Sequence, residues 1–337
     1  MMKNVKKLFA ALLVTAMALS TLTACGSKTE TPSADASTDS DNSAATTTVD
    51  YPTKDITVVV PYGAGGTTDL CVRGVLDAVD KSVVTKNFIV SNVTGGSSQF
   101  VNAKSDGYTI GVLNCDLVLN NVLGNTDITS DQFVPLACIE NDPYLFVVSK
   151  DAPYQTFEEF VDYAKAHPGE VTVADTGAGA APHLAYLALT QDLGLDLKTV
   201  SYDSAADSVV AVVSGEVQAA ITASGAAVGQ MDGGNVVPLA VTSNERLSTY
   251  PDVPAMGELY TELADMQVNS WIMVAVKADT DPEIISFLQD AFAPAAVSDA
   301  YKATQEGFFF QPVEEMSNED MLNFVAAQHS YYESLLK

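Results

Sequence analysis

From Tyr51 onward the chain alternates between two hydrophobic periods. Ile56–Val60 is a β-branched run that stops at Pro61 and enters Gly63-Ala64-Gly65-Gly66-Thr67-Thr68-Asp69; Val72, Val75, Leu76 and Val79 then recur at helical spacing. This predicts a strand, a glycine loop and a helix. Residues 88–90 predict a second strand running into Asn92-Val93-Thr94-Gly95-Gly96, and residues 108–113 a third that ends at Asn114. Residues 133–139 and 144–148 are strand-like, and 156–167 read as a helix stopped by Pro168-Gly169. The grammar then restarts: residues 171–174 lead into Asp175-Thr176-Gly177-Ala178-Gly179-Ala180-Ala181-Pro182-His183 and an apolar helix through Leu184, Leu187 and Leu189. Tyr202-Asp203-Ser204 precedes an Ala/Val-rich helix closed at Ser214-Gly215, and residues 217–221 supply another strand. Near the end, Asp281-Pro282-Glu283 opens a helix with Ile284, Phe287, Leu288 and Ala291 on one face, and Ser317 with Asp320 forms a capping box. The expected fold class is α/β, with the plan of one lobe repeated in a second. The last helices act as scaffold.

The first fifty residues follow a different pattern. Lys3, Lys6 and Lys7 precede an apolar stretch over 8–19 and the tetrad Leu22-Thr23-Ala24-Cys25. That stretch is shorter than the roughly 20 residues of a membrane-spanning helix and ends in small residues, so residues 1–25 read as a lipoprotein signal peptide whose Cys25 is lipidated. Residues 26–50 are almost entirely small and polar and lack aromatics; they cannot bury enough apolar surface to order themselves, which predicts a flexible, disordered acidic linker. The expected location is extracytoplasmic, anchored by lipid to the outer face of the cell membrane.

Charge narrows the choice of partners. Removing the three leader lysines leaves 13 basic side chains against 43 acidic ones, a formal charge of −30. Nucleic acid is excluded, and an anionic ligand, repelled at long range, must be held by local fixed dipoles. A glycine turn leading into a helix N-terminus supplies such dipoles. The two loops, 65–69 and 177–183, could face each other across a cleft so that one anion bridges both. Tyr62, Gly65, Gly66, Thr67, Thr68, Asn114, Thr176, Gly177, Ala178, Gly179, His183, Tyr202 and Asp203 are the candidate ligand-binding residues. Thr68 is placed to cap the first helix and Asp69 to steady its first turn. Asp175 and Asp203 are candidates to receive an amino group on the ligand. Trp271, the only tryptophan, is expected to pack at a hinge.

Catalytic signatures are missing. Gly177-x-Gly179-x-x-Pro182 lacks the last small residue of a dinucleotide fingerprint, and Gly63-x-Gly65-Gly66 lacks its spacing. There is no Walker Lys-Ser/Thr and no Gly-x-Ser-x-Gly elbow, and His167, His183 and His329 form no metal pattern. Cys71, Cys115 and Cys138 match neither a metal site nor a disulfide framework and read as buried free thiols. Neither cofactor, metal nor enzymatic activity is expected.

Val60-Pro61-Tyr62-Gly63-Ala64-Gly65-Gly66-Thr67-Thr68-Asp69, Asp106-Gly107-Tyr108-Thr109, Gly177-x-Gly179-x-x-x-His183, Leu239-Ala240-Val241-Thr242-Ser243 and Pro251-Asp252-Val253-Pro254 together resemble the extracytoplasmic binding proteins of tripartite tricarboxylate transporters, the TctC or Bug family. The resemblance implies a two-lobed periplasmic-binding-protein (Venus flytrap) fold, each lobe a central sheet flanked by helices, joined by two crossover strands near Tyr144 and Trp271. Residues 51–143 with 272–337 would form the first lobe and 144–271 the second. It further implies a monomer that captures a small carboxylate, held by loop amides and ordered water, and hands it to one large and one small transmembrane subunit. A different transporter or a sensor is the alternative recipient. The sequence departs from the family where Asp203 and Ser204 replace the usual Lys-Gly after the tyrosine aligned with Tyr202, where Thr222 replaces a frequent Asp, and in a shortened stretch between Asn92 and Asp106.

Overall fold

The computed structural model describes residues 50–337; the leader with its lipobox Cys25, and the linker up to Val49, lie outside the described residues. The described chain builds two five-stranded sheets of the same plan. The first half supplies β1 (Ile56–Val60), α1 (Thr67–Ala78), β2 (Phe88–Asn92), α2 (Ser97–Val101), β3 (Thr109–Asn114), α3 (Cys115–Val122) and β4 (Phe133–Pro143). Then follow β5 (Leu145–Ser149), α4 (Phe157–Ala166), β6 (Thr172–Asp175), α5 (Ala181–Gln191), β7 (Lys198–Ser201), α6 (Ala205–Ser214), β8 (Ala219–Thr222), α7 (Ser224–Asp232), β9 (Val236–Val241) and α8 (Met256–Leu259). The chain ends with β10 (Asn269–Lys277), α9 (Pro282–Ala296), α10 (Asp299–Gly307) and α11 (Asn318–Leu335).

Strand order is β2-β1-β3-β10-β4 in one sheet and β7-β6-β8-β5-β9 in the other. In each, three parallel strands come from β/α units, and the fourth position is filled by an antiparallel strand: β10 against β3 and β4, β5 against β8 and β9. Parallel strands need crossover helices, which cover both faces, so the central strands are largely apolar and buried, while the edge strands β2 and β7 stay partly exposed. In β5 the alternation is visible within a fully buried run. Phe146 and Val148 join the core shared with Phe157 and Phe160, while Leu145 and Val147 join the cluster of Val209, Val212 and Val241 on the other face.

The chain passes from the first sheet to the second within one residue, between Pro143 and Leu145, and re-enters the first at β10, whose Asn269 pairs with Pro143. The junction is tied by Thr242. Its hydroxyl donates to Val268 O at 2.7 Å and accepts from Tyr144 N–H at 2.9 Å, and its N–H donates to Tyr144 O at 2.9 Å. Trp271 is fully buried beside this junction, donating its indole N–H to Tyr332 Oη at 3.2 Å with Phe324 edge-on to the ring.

Local signals were followed closely elsewhere. Gly215 ends α6 at φ 76°, and Ser317 and Asp320 cap α11 reciprocally. Cys71, Cys115 and Cys138 are buried and unbridged. One expectation is corrected. Thr68 does not cap α1: the helix begins at Thr67, Gly66 holds the N-cap position, and no side chain caps it. Among the described residues no helix is long and apolar enough to cross a membrane, and no cluster of acidic, His or Cys side chains is arranged to hold a metal.

Candidate functional site

β1 ends at Val60 and the chain reaches α1 through an exposed glycine loop. Leu70 is the first amide of α1 to find a carbonyl, Gly66 O at 3.0 Å, so the N–H groups of Thr67 and Thr68 have no intrahelical partner. Asp69 holds the loop from behind. Its carboxylate accepts Gly65 N–H at 2.8 Å, Asn92 Nδ2 at 2.9 Å and Arg73 Nε at 3.0 Å. Burial pushes its pKa up, but the hydrogen bonds from Arg73, Gly65 and Asn92 outweigh burial and keep it below the usual range. Gly65 therefore lends its amide to the fold.

Facing this helix end, β3 stops at Asn114, whose Oδ1 caps α3 by accepting Leu117 N–H at 3.1 Å. Its Nδ2 donates to Tyr62 Oη at 2.6 Å, and that hydroxyl donates to Asp116 Oδ2 at 2.9 Å. Asp116, in the first turn of α3, also accepts the N–H of Ala181, the first residue of α5. Burial pushes the Asp116 carboxyl up, opposed by hydrogen bonds from Tyr62, Cys115 and Ala181.

These groups surround a cavity of about 260 Å³ at the junction of the two sheets, lined by Tyr62, Gly66, Thr67, Thr68, Asn114, Cys115, Asp116, Tyr144, Ser270 and Ile272. A second cavity of about 440 Å³ shares Tyr62, Asn114 and Asp116 with it. A roomier hollow of about 540 Å³ lies at the outer edge of the first sheet between α1 and β2; it includes neither glycine loop and is not the candidate site. Behind the cavity, Glu140 is 2 % exposed, and burial above all, against a hydrogen bond from Ser270, pushes its pKa up to about 8.

The second loop is organised by Asp175 at the end of β6. Oδ1 accepts Gly177 N–H at 2.9 Å and Ser201 Oγ at 3.0 Å; Oδ2 accepts Thr199 Oγ1 at 2.7 Å and meets His183 Nδ1 at 2.6 Å. Gly177, at φ 100°, allows the chain to fold back over this carboxylate. Burial pushes the Asp175 pKa up, and bonds from His183, Thr199 and Gly177 bring it below the ordinary value.

Five of the candidate residues, Tyr62, Gly66, Thr67, Thr68 and Asn114, line the cavity. Thr176, Gly177, Ala178, Gly179 and His183 lie on the second loop outside that lining, and the loop meets α3 where Asn120 Nδ2 donates to Gly179 O at 3.4 Å. Tyr202 packs against the Val209 and Val212 cluster, and Asp203 is exposed. The idea that Asp175 and Asp203 receive an amino group is corrected for Asp175, which is fully buried with its oxygens engaged by four partners. Asp116, Tyr144 and Ser270 escaped sequence reading. Asn114 followed two residues later by an acid is an N-cap with a first-turn carboxylate and could have flagged Asp116. Tyr144 and Ser270 reach the cavity only through strand pairing.

Comparison with known proteins bears on the fold and the family. The sequence model described as the tripartite tricarboxylate transporter family receptor matches residues 71–337. A UPF0065 protein of Bordetella pertussis is 26 % identical over 284 residues, 82 % of this chain and 87 % of its own. The structure of a TctC solute-binding protein from Polaromonas, without ligand, superposes with a TM-score of 0.74 at 28 % identity, covering 85 % of this chain and 99 % of that one. The R. palustris protein Rpa4515 with adipate gives a TM-score of 0.70 at 25 % identity, covering 85 % and 97 %.

Proposed function

This chain belongs to the tripartite tricarboxylate transporter receptor family, and we propose that it captures a small carboxylate-bearing solute outside the cell and delivers it to a tripartite membrane transporter. The observation that carries the reading is the cavity at the junction of the two sheets, into which the uncapped N-terminus of α1 contributes Gly66, Thr67 and Thr68. Unpartnered amides and the helix dipole favour a carboxylate there by roughly 0.3–1 kcal/mol per contact, more where burial is partial. Adipate bound to the R. palustris relative supports the same ligand class.

In this reading Cys25 carries the lipid anchor, the protein is a monomer, and it acts by binding without turnover. The open form admits the solute, contacts to both lobes favour closure, and one large and one small transmembrane subunit read the closed surface. A thermal-shift screen of the purified protein, unfolded and refolded to release bound solute, tests the capture step against mono-, di- and tricarboxylates, aromatic acids and amino acids. A cognate solute at a hundredfold excess over Kd stabilises by about 2.7 kcal/mol, a shift of about 5 °C or more. A refolded protein that shifts with none of them overturns the reading.

A further inference from the structure

The same cavity carries donors and an acid but no cation. Its lining residues include no Lys, Arg or His, while Asp116 contributes a carboxylate. That carboxylate is held in place: Tyr62 Oη donates to it at 2.9 Å, Asn114 Nδ2 steadies the same hydroxyl at 2.6 Å, and Cys115 Sγ stands 3.7 Å from its other oxygen. The Ala181 N–H, from the facing loop, completes the set. A solute bearing only carboxylates would bring like charge against this fixed acid in a space of about 260 Å³, inside a chain whose charge is already strongly negative. A solute that also bears an ammonium would meet an acceptor there.

Resting on the reading of this cavity as the solute site, we propose that Asp116 makes the protein selective for solutes with a cationic amino group beside a carboxylate, the chemistry of free amino acids. The carboxylate sits on the α1 amides and the ammonium on Asp116. Asp175 has no capacity left for the role, since four partners engage it, and Asp203 lies outside the cavity lining. Because Asp116 sits on α3 of the first lobe and touches α5 of the second, an ammonium bound to it bears on the contact between lobes.

Isothermal titration of the intact protein with matched pairs tests this: L-aspartate against succinate, L-glutamate against glutarate, and L-alanine against propionate. In the wild type the amino member of the cognate pair is expected to bind at least about tenfold tighter. Asp116→Asn, checked for folding by thermal melting, is expected to reduce that ratio to about threefold or less; Asp116→Ser serves if the first variant does not fold. A plain acid that binds the wild type as tightly as its amino partner overturns the selectivity and leaves the transport reading standing. An unchanged ratio in a folded Asp116 variant also overturns it. If neither member of any pair binds while another carboxylate shifts the melting temperature in the broader screen, the amino-group selectivity falls and the transport reading stands; if nothing in either experiment binds, both fall.

Discussion

Three aspartates show how little a residue type says without its neighbours. Asp69 and Asp175 each accept several donors and are held below the usual carboxylate range, whereas burial pushes Asp116 up. Only Asp116 lines the cavity. Gly66 offers a direct test of where ligand sits. A Cβ there would stand 3.5 Å from Gly63 O, an ordinary contact, and its φ of −77° suits any residue. Gly66→Val should therefore stay within about 1 kcal/mol of wild-type stability while weakening solute binding about tenfold or more. Titration alongside thermal melting checks both parts, and unchanged affinity would remove α1 from the site. Gly66 and Thr67 could be marked as candidates from sequence because a glycine turn before a helix exposes amides by local geometry. Asp116 could not be ranked, because its importance comes from Tyr62, 54 positions earlier, and from Ala181, 65 positions later.

At the scale of elements, the β6–α5 loop is built around one carboxylate. Removing it in Asp175→Ala leaves Gly177 N–H, Thr199, Ser201 and His183 without their acceptor, so a loss of about 2–4 kcal/mol is expected in denaturant unfolding. Hydrogen exchange through residues 176–183 should accelerate in the same variant; protection equal to wild type would show that the loop is held by other contacts. The elements legible in sequence were those with a strong local signal: β1 as a β-branched run, α6 with its closing Gly215, α11 with its capping box. β7 was passed over because Lys198–Ser201 is an edge strand with no buried residue and hence no apolar alternation. α3 was missed because it starts directly from β3 at Asn114, with no turn of glycine or proline to announce it.

For the whole molecule, buried acids set the pH response. Burial above all pushes Glu140 up to about 8 and Asp142 up to about 6; hydrogen bonds from Ser270, and from Ser224 and Gln311, oppose the shifts. With the folded pKa raised, the folded state binds more protons than the unfolded one between the two values. The stability is then present in full below the unfolded values of 4.5 and 3.8 and is lost as pH rises through about 6 and about 8. Asp69 and Asp175, shifted downward, act oppositely: their contribution is present above 3.8 and is lost as pH falls through their lowered folded values. Stability should peak in mildly acidic solution and decline toward pH 8.5. Thermal melts from pH 4 to 9 should show that decline, and Glu140→Gln should flatten its upper part; an equal slope in the variant would assign the effect elsewhere. Asp142 also joins the lobes, accepting Ser224 Oγ at 2.7 Å from α7 and Gln311 N–H at 3.3 Å from the C-terminal segment.

By itself the sequence determined the β/α grammar, the doubling of that grammar in two halves and the loops that present helix N-termini, because each depends on residues within a few positions of one another. Tertiary structure alone decided which acid enters the cleft and which serves the fold. It also decided that Tyr144 and Ser270 complete the cavity and that a single carboxylate on α3 touches both loops. Those outcomes depend on the pairing of β10 with β3 and β4 and on the approach of α3 to α5, contacts between distant segments that no local pattern encodes.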